Sequence, residues 1–254
     1  MDFIPLDEAI NAQGLRLVIV RGAPSPWGQA AKAFFDMKGV PYTLSSQAPG
    51  EANEDLVAWS GQASGPVVAW NDEKPLSNWL DILLLADRIA PQKPLLPADP
   101  AQRALMIGLS HELCGELGVG WNRRLMMFKP AMDSGSPPDA IKVMAQRYRY
   151  EAADAEAAEE RIVAVLKCLT DLLASQKKAG NDFFFGDAVS ALDIYWAAFS
   201  VLLSPYSEDR VPMPAKAAAG FAACGPVVEA ALDQSLIDHR NAIFDSCFEA
   251  PMVL

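Results

Sequence analysis

Residues able to do nucleophilic, acid–base or metal chemistry are few and scattered in this chain of 254 residues. There are two histidines, His111 and His239, and four cysteines, Cys114, Cys168, Cys224 and Cys247. No CxxC or HxxxH spacing occurs, so a metal site is not expected. The cysteines are spaced widely and irregularly in a chain with ample apolar residues for a core, which favours free thiols in a reducing cytoplasm over two disulfides. All four lie beyond residue 100, leaving the first third of the chain without a thiol. The first hydroxyl is Ser25, in Ser25-Pro26-Trp27, with no tyrosine or cysteine nearby. Where a helix begins, and with it a partial positive charge, such a serine is a candidate either for capping that helix or for catalysis. His111, on a later apolar helix, reads as a core or surface histidine rather than a catalyst.

The composition narrows the partners. With 51% hydrophobic and 21% charged residues the chain can bury a full core, which excludes a disordered or collagen-like protein. A net charge of −11 repels phosphate backbones and anionic lipid, so neither nucleic acid nor membrane is expected as a partner. The start, MDFIPLDEAINAQGL, has neither the basic residues nor the apolar run of a signal peptide. The longest apolar stretches, such as 195–203, fall far short of the ~20 residues that span a bilayer. A cytoplasmic protein is expected.

Several elements would position Ser25. Leu15–Val20, LRLVIV, reads as a buried strand, followed by a Gly/Pro/Ser turn over 21–26. Over 27–38 the apolar positions Trp27, Ala30, Ala31, Phe34 and Phe35 repeat at helical spacing, with Gln29, Lys32 and Asp36 on the opposite, polar side. Gly39 ends that helix, Pro41 prevents its return, and 42–46 reads as a second, parallel strand. A short helix near Glu54–Ser60, strands at 66–70 and 75–77, and a helix over 78–89 complete a βαβαββα order. Asn78 with Asp81 three residues on fits the start of that last helix.

The proline-rich 91–100, PQKPLLPADP, reads as a linker, and beyond it strand signals stop. Helices are predicted over 101–115, over 138–152 and 151–178 (which can be continuous), over 190–203 and over 227–239. The stripe of Ile162, Val165, Leu166, Leu169, Leu172 and Leu173 marks one buried face, and 191–203 is apolar nearly all round. Between the predicted helices over 101–115 and 138–152, GELGVGWNRRLMM has glycines at 115, 118 and 120 ahead of Trp121, Arg123 and Arg124. It reads either as a pocket wall, with Trp121 apolar and Arg124 an anion contact, or as a kinked helix with solvated arginines. The domains expected are thus 1–90, with 1–14 an N-terminal extension, the linker 91–100, and an all-helical 101–254.

Four landmarks across roughly residues 15–244 resemble the glutathione S-transferase superfamily, of cytosolic, bacterial-like type with serine in the first loop. They are Ser25-Pro26-Trp27 running on to Lys38-Gly39-Val40-Pro41-Tyr42, then Gly65-Pro66-Val67-Val68, then the linker, and finally Gly186-Asp187 through Ser190, Ala191, Asp193 and Ile194. The last has its own physics: Ser190 can cap the helix while Asp193 reaches back to the Ser190 N–H, a structural pairing.

The resemblance implies a thioredoxin-like N-terminal domain, α/β in class, followed by an all-α bundle. It implies glutathione as co-substrate, a small hydrophobic electrophile as second substrate, a homodimer, and a role in detoxification. It places the hydroxyl of Ser25 against the glutathione sulfur, where donating to the thiolate lowers the thiol pKa. Trp27 would bind glutathione, and Gly65 with Pro66, the latter cis, would bind its cysteinyl part. Asn78 and Trp79 stand where the superfamily has an acidic residue or Gln followed by Ser, and they would face the γ-glutamyl end without that hydroxyl. This departure supports a second reading, a non-catalytic binding or assembly protein on the same fold. A glutathione-dependent reductase or isomerase is a third reading, disfavoured by serine in place of cysteine.

Overall fold

The computed structural model describes residues 2–254, which form two compact units. The first takes the chain up to Leu96 together with Ser207–Met213 and Phe244–Leu254; the second is Pro97–Tyr206 with Pro214–Ile243. The division is therefore not linear: two late segments join the α/β unit.

In the first unit the order is α1 (Leu6–Asn11), β1 (Leu15–Val20), α2 (Pro26–Lys38), β2 (Tyr42–Gln47), α3 (Glu54–Ser60), β3 (Val67–Trp70) and α4 (Trp79–Ile89). β1 is the central strand. It runs parallel to β2, with Leu15 opposite Tyr42 and Val20 opposite Gln47, and antiparallel to β3, with Leu15 opposite Trp70 and Val18 opposite Val67. Successive residues of β1 point to opposite faces. Val18 meets Leu56 and Val67, with Leu6 and Trp59 beside them, whereas Ile19 meets Gly28 of α2. The strand expected over 75–77 reduces to a single bridge between Leu76 and Val68, because Pro75 has no N–H to continue a ladder. Residues 1–14, expected as an extension, are built in as far as they are described. Ile4 N–H donates to Leu44 O at 3.0 Å, the Ser45 hydroxyl donates to Ile4 O at 2.9 Å, and Ala9 of α1 is fully buried.

The second unit comprises α5 (Pro100–Cys114), α6 (Val119–Asp133), α7 (Asp139–Arg147), α8 (Ala152–Lys178), α9 (Ala191–Phe199) with a 3-10 turn (Ser200–Leu202), α10 (Ala215–Ala222), α11 (Pro226–Ala231) and α12 (Gln234–Cys247). The last turn of α12 belongs to the first unit. Every residue of α9 is buried; α5 packs against α9 and α6 against α8, whose buried residues include Ile162, Val165, Leu166, Leu169 and Leu173. The helices over 138–152 and 151–178 are separate, because Arg149 takes a left-handed φ of 45° and ends the first of them. The predicted 227–239 helix is two, α11 and α12. The glycine-rich 115–120 stretch ends α5 and starts α6. Gly118 is required there, since a Cβ would lie 2.7 Å from the carbonyl oxygens of both His111 and Glu112. Among the described residues no helix is long and apolar enough to cross a membrane.

Candidate functional site

The loop after β1 and the start of α2 set the position of Ser25. Preceding a proline, Ser25 is held extended, at φ −67° and ψ 114°, and Pro26 opens the helix at its first position. The Ser25 carbonyl accepts the Gln29 N–H at 2.9 Å, but its hydroxyl makes no capping hydrogen bond. The hydroxyl thus stands at the positive end of a thirteen-residue helix without being spent on that helix's N–H groups. Trp27, on the first turn, is half-buried.

Gly65-Pro66 approaches β1 from another direction. The Gly65–Pro66 bond is cis. A Cβ on Gly65 would lie 2.7 Å from Val18 O and 3.2 Å from Ile19 Cα, so this segment passes too close to β1 for any side chain. On α2, a Cβ at Gly28 would lie 3.1 Å from Ile19 Cγ2. These two glycines bring the first turn of α2 and the cis-proline segment onto Ile19, near the end of β1 from which the Ser25 loop departs.

Asn78 is committed to the fold. As N-cap of α4, its Oδ1 accepts the Leu80 N–H at 2.9 Å; the bond goes to Leu80 rather than pairing the cap with Asp81. Asn78 is otherwise exposed, and Trp79, the first residue of α4, is half-buried.

The polar side of α2, expected to face water, is covered instead. Gln29 and Lys32 are buried beneath the C-terminal segment. Gln29 Nε2 donates to Val253 O at 2.9 Å, and Lys32 Nζ lies 2.8 Å from Asp36 and 3.0 Å from Glu249. Tyr42 donates to the other Asp36 oxygen at 2.7 Å. Burial alone would pull the Lys32 pKa down, but hydrogen bonds and charge from Asp36 and Glu249 outweigh it and leave the pKa raised. Burial and the same two carboxylates push the Tyr42 pKa well up. Arg210 completes the strap: its carbonyl accepts the Met252 N–H at 2.8 Å, and its guanidinium lies 2.7 Å from Asp245. At the far end of α2, Lys38 Nζ is fully buried and contacts Ala90 O at 2.9 Å, Lys93 O at 2.6 Å and Asp87 Oδ1 at 2.7 Å.

All four cysteines lie beyond residue 100, and one of them still reaches the first unit. Cys247 belongs to the first unit, where it lines a cavity of about 470 Å3 with Lys32, Asp36, Tyr42 and Glu249. The α/β unit therefore does contain a thiol, brought in by the end of α12.

The helical unit uses its candidates for packing. Trp121 meets Tyr148 edge-on at 4.9 Å between ring centroids, and the Arg124 guanidinium lies 5.3 Å over the Phe221 ring. Arg123 is buried rather than solvated. Its Nε donates to Leu202 O at 3.0 Å, and Nη2 reaches Gly220 O, Phe221 O and Ala223 O at 2.7, 3.2 and 2.9 Å, satisfying the last carbonyls of α10. Ser190 and Asp193 form the capping box at the start of α9: Asp193 Oδ2 accepts the Ser190 N–H at 2.8 Å and its hydroxyl at 2.6 Å. The other oxygen accepts the Phe184 N–H at 3.0 Å and meets His239 Nε2 at 2.8 Å. His111 is exposed. Among the described residues no group of three or more His, Cys, Asp or Glu could hold a metal ion.

No protein-family model and no curated protein matches the chain. Solved structures do, along nearly its whole length. A glutathione S-transferase from Methylobacterium radiotolerans, in complex with glutathione sulfonate, aligns with a TM-score of 0.57 at 18% identity, over 89% of this chain and 93% of that one. The tau-class glutathione S-transferase of mango, Mangifera indica, aligns at 0.53 and 23% identity over 90% and 97%. Glutathione transferase Omega 3C of Trametes versicolor aligns at 0.53 and 18% over 92% and 91%. The chain has the glutathione transferase fold, a thioredoxin-like unit with a helical one.

Proposed function

We propose that this chain is a glutathione transferase in which Ser25 activates the glutathione thiol for attack on a small hydrophobic electrophile. The observation that carries the reading is the Ser25 hydroxyl, held at the start of α2 and not engaged as that helix's cap. Glutathione with its sulfur there receives a hydrogen bond from Ser25 and the partial positive charge of the helix start. Both favour the thiolate over the thiol. The thiol proton passes to solvent, the sulfur electron pair forms a bond to the electrophilic carbon, and a leaving group such as halide departs with its bonding pair. Gly65 and cis-Pro66 would present backbone to the cysteinyl part beside Trp27. The Asn78 amide and the Trp79 N–H would meet the γ-glutamyl end. The Methylobacterium structure of like fold holds glutathione sulfonate, which supports glutathione as the ligand class. On this reading the protein works in the cytoplasm as a homodimer, in detoxification.

One observation favours a second reading, a binding or assembly protein that no longer recognises glutathione. The Asn78 oxygen is occupied by the α4 cap, and an indole stands where the superfamily has a hydroxyl. Thiolate absorbance of the protein–glutathione complex, followed against pH, separates the two. The transferase reading expects the bound thiol to ionise near neutrality in the wild type and at higher pH in Ser25→Ala. A bound thiol that ionises as it does in free solution would overturn it.

A further inference from the structure

A second cleft, of about 480 Å3, opens at the opposite end of β1 from Ser25. Its walls are the end of α1 with the residues that follow, Trp59 of α3, and the turn from Asn71 to Pro75. Arg16 lines it from β1, on the same face of the sheet as Val18. The geometry points to this cleft as a binding site for a small monocarboxylate, anchored by the guanidinium of Arg16.

Little among the described residues holds that guanidinium. Arg16 is 4% exposed, so its charge is withdrawn from water. A guanidinium has five N–H donors, and a buried one is normally paired with a carboxylate or with several carbonyls, as Arg123 is here. Arg16 instead donates from Nη1 to Ala12 O at 2.7 Å and lies 6.0 Å from the Trp59 ring centroid. Its Nε is sealed from solvent with no hydrogen-bond partner among the described residues. The nearby acids do not complete it: Glu73 is taken by Arg88, and Asp72 acts only as a through-space charge. Burial accordingly pulls the Arg16 pKa down, partly offset by Asp72.

A carboxylate in the cleft would supply the counter-charge, its oxygens accepting from the Nη N–H groups that Ala12 leaves unused. The rim sets the charge. Lys74 adds one cation, while Asp72 repels a second negative charge, which favours a monocarboxylate over a phosphate or sulfate dianion. The Asn71 oxygen already accepts the Gly14 N–H at 3.1 Å, so its amide nitrogen is the end left for a ligand.

The test follows the arginine Nε–H signals of the ¹⁵N-labelled full chain while acetate, and separately inorganic phosphate, is added at constant ionic strength. The Arg16 signal is identified by its loss in Arg16→Lys. The expected result is a saturable acetate-induced shift of that signal, with affinity weakened roughly two- to fivefold in Lys74→Ser, an exposed position on the rim. Should Arg16→Lys fail to fold, saturable acetate shifts of the Gly14 and Asn71 amides, weakened in Lys74→Ser, support the site in its place. No saturable shift, a response to phosphate alone, or an affinity unchanged in Lys74→Ser would overturn the assignment.

Discussion

Replacing Lys38 by methionine should destabilise the first unit more than any other single change to its polar contacts. The Lys38 side chain is 0% exposed, and its ammonium serves three acceptors: Ala90 O at the end of α4, Lys93 O in the following segment, and Asp87. Asp87 is itself only 16% exposed and also accepts the Leu95 N–H at 3.0 Å. Methionine keeps the aliphatic stem but removes the charge. Two carbonyls lose a donor, and a mostly buried carboxylate is left with one backbone partner. Breaking a buried pair from one side costs about 3–5 kcal/mol, chiefly for the charge left behind. For a chain of this size that lowers the melting temperature by about 6–20 °C, at ~2–4 °C per kcal/mol. Urea titration followed by tryptophan fluorescence reads the loss. The double variant Lys38→Met with Asp87→Leu removes the stranded charge and should recover part of it. A loss below about 1 kcal/mol in Lys38→Met, or a double variant that loses the full sum of the two singles, would refute this reasoning.

Lys32→Met should cost less, about 1–2 kcal/mol, because the Asp36 and Glu249 side chains it abandons are 34% and 43% exposed and rehydrate. The raised Lys32 pKa fixes the sign with pH: its contribution is complete below the unfolded lysine value and is lost as pH rises through the folded one. Alkaline urea titrations of wild type should therefore weaken in a way that Lys32→Met does not. Gly65→Ala should lose about 1–3 kcal/mol, since its Cβ meets Val18 O at 2.7 Å and the backbone must move. It should also weaken glutathione binding by displacing the cis-proline segment; unchanged affinity in a folded Gly65→Ala would separate that segment from the ligand.

How much of this the sequence discloses follows from the range of each interaction. Ser25-Pro26-Trp27, Gly65-Pro66 and the Ser190–Asp193 box are local patterns, and so are legible. Gly39 likewise ends α2 with a left-handed φ of 67°, the Gly39 and Val40 N–H groups closing on Asp36 O and Phe35 O. The long apolar stripe of α8 is equally plain. The cover over α2 is not, because a polar residue facing water and one facing Glu249, 217 residues away, look the same in a helical pattern. Cys247 reads as part of the helical region for the same reason. The six residues of α1 are too few to show a period, and Arg123 gives no hint that its partners are carbonyls about a hundred residues distant. Asn78 is readable as a cap and as a ligand contact, and the structure shows the cap.

The central claim, that Ser25 activates glutathione bound at the start of α2, is tested most directly by calorimetric titration of glutathione into the wild type and Ser25→Ala, with conjugation to a chlorodinitrobenzene measured on both. The predicted result is saturable binding in both proteins and conjugation lost in the variant alone. No heat of binding in the wild type at millimolar glutathione, or full conjugation activity in Ser25→Ala, would contradict it.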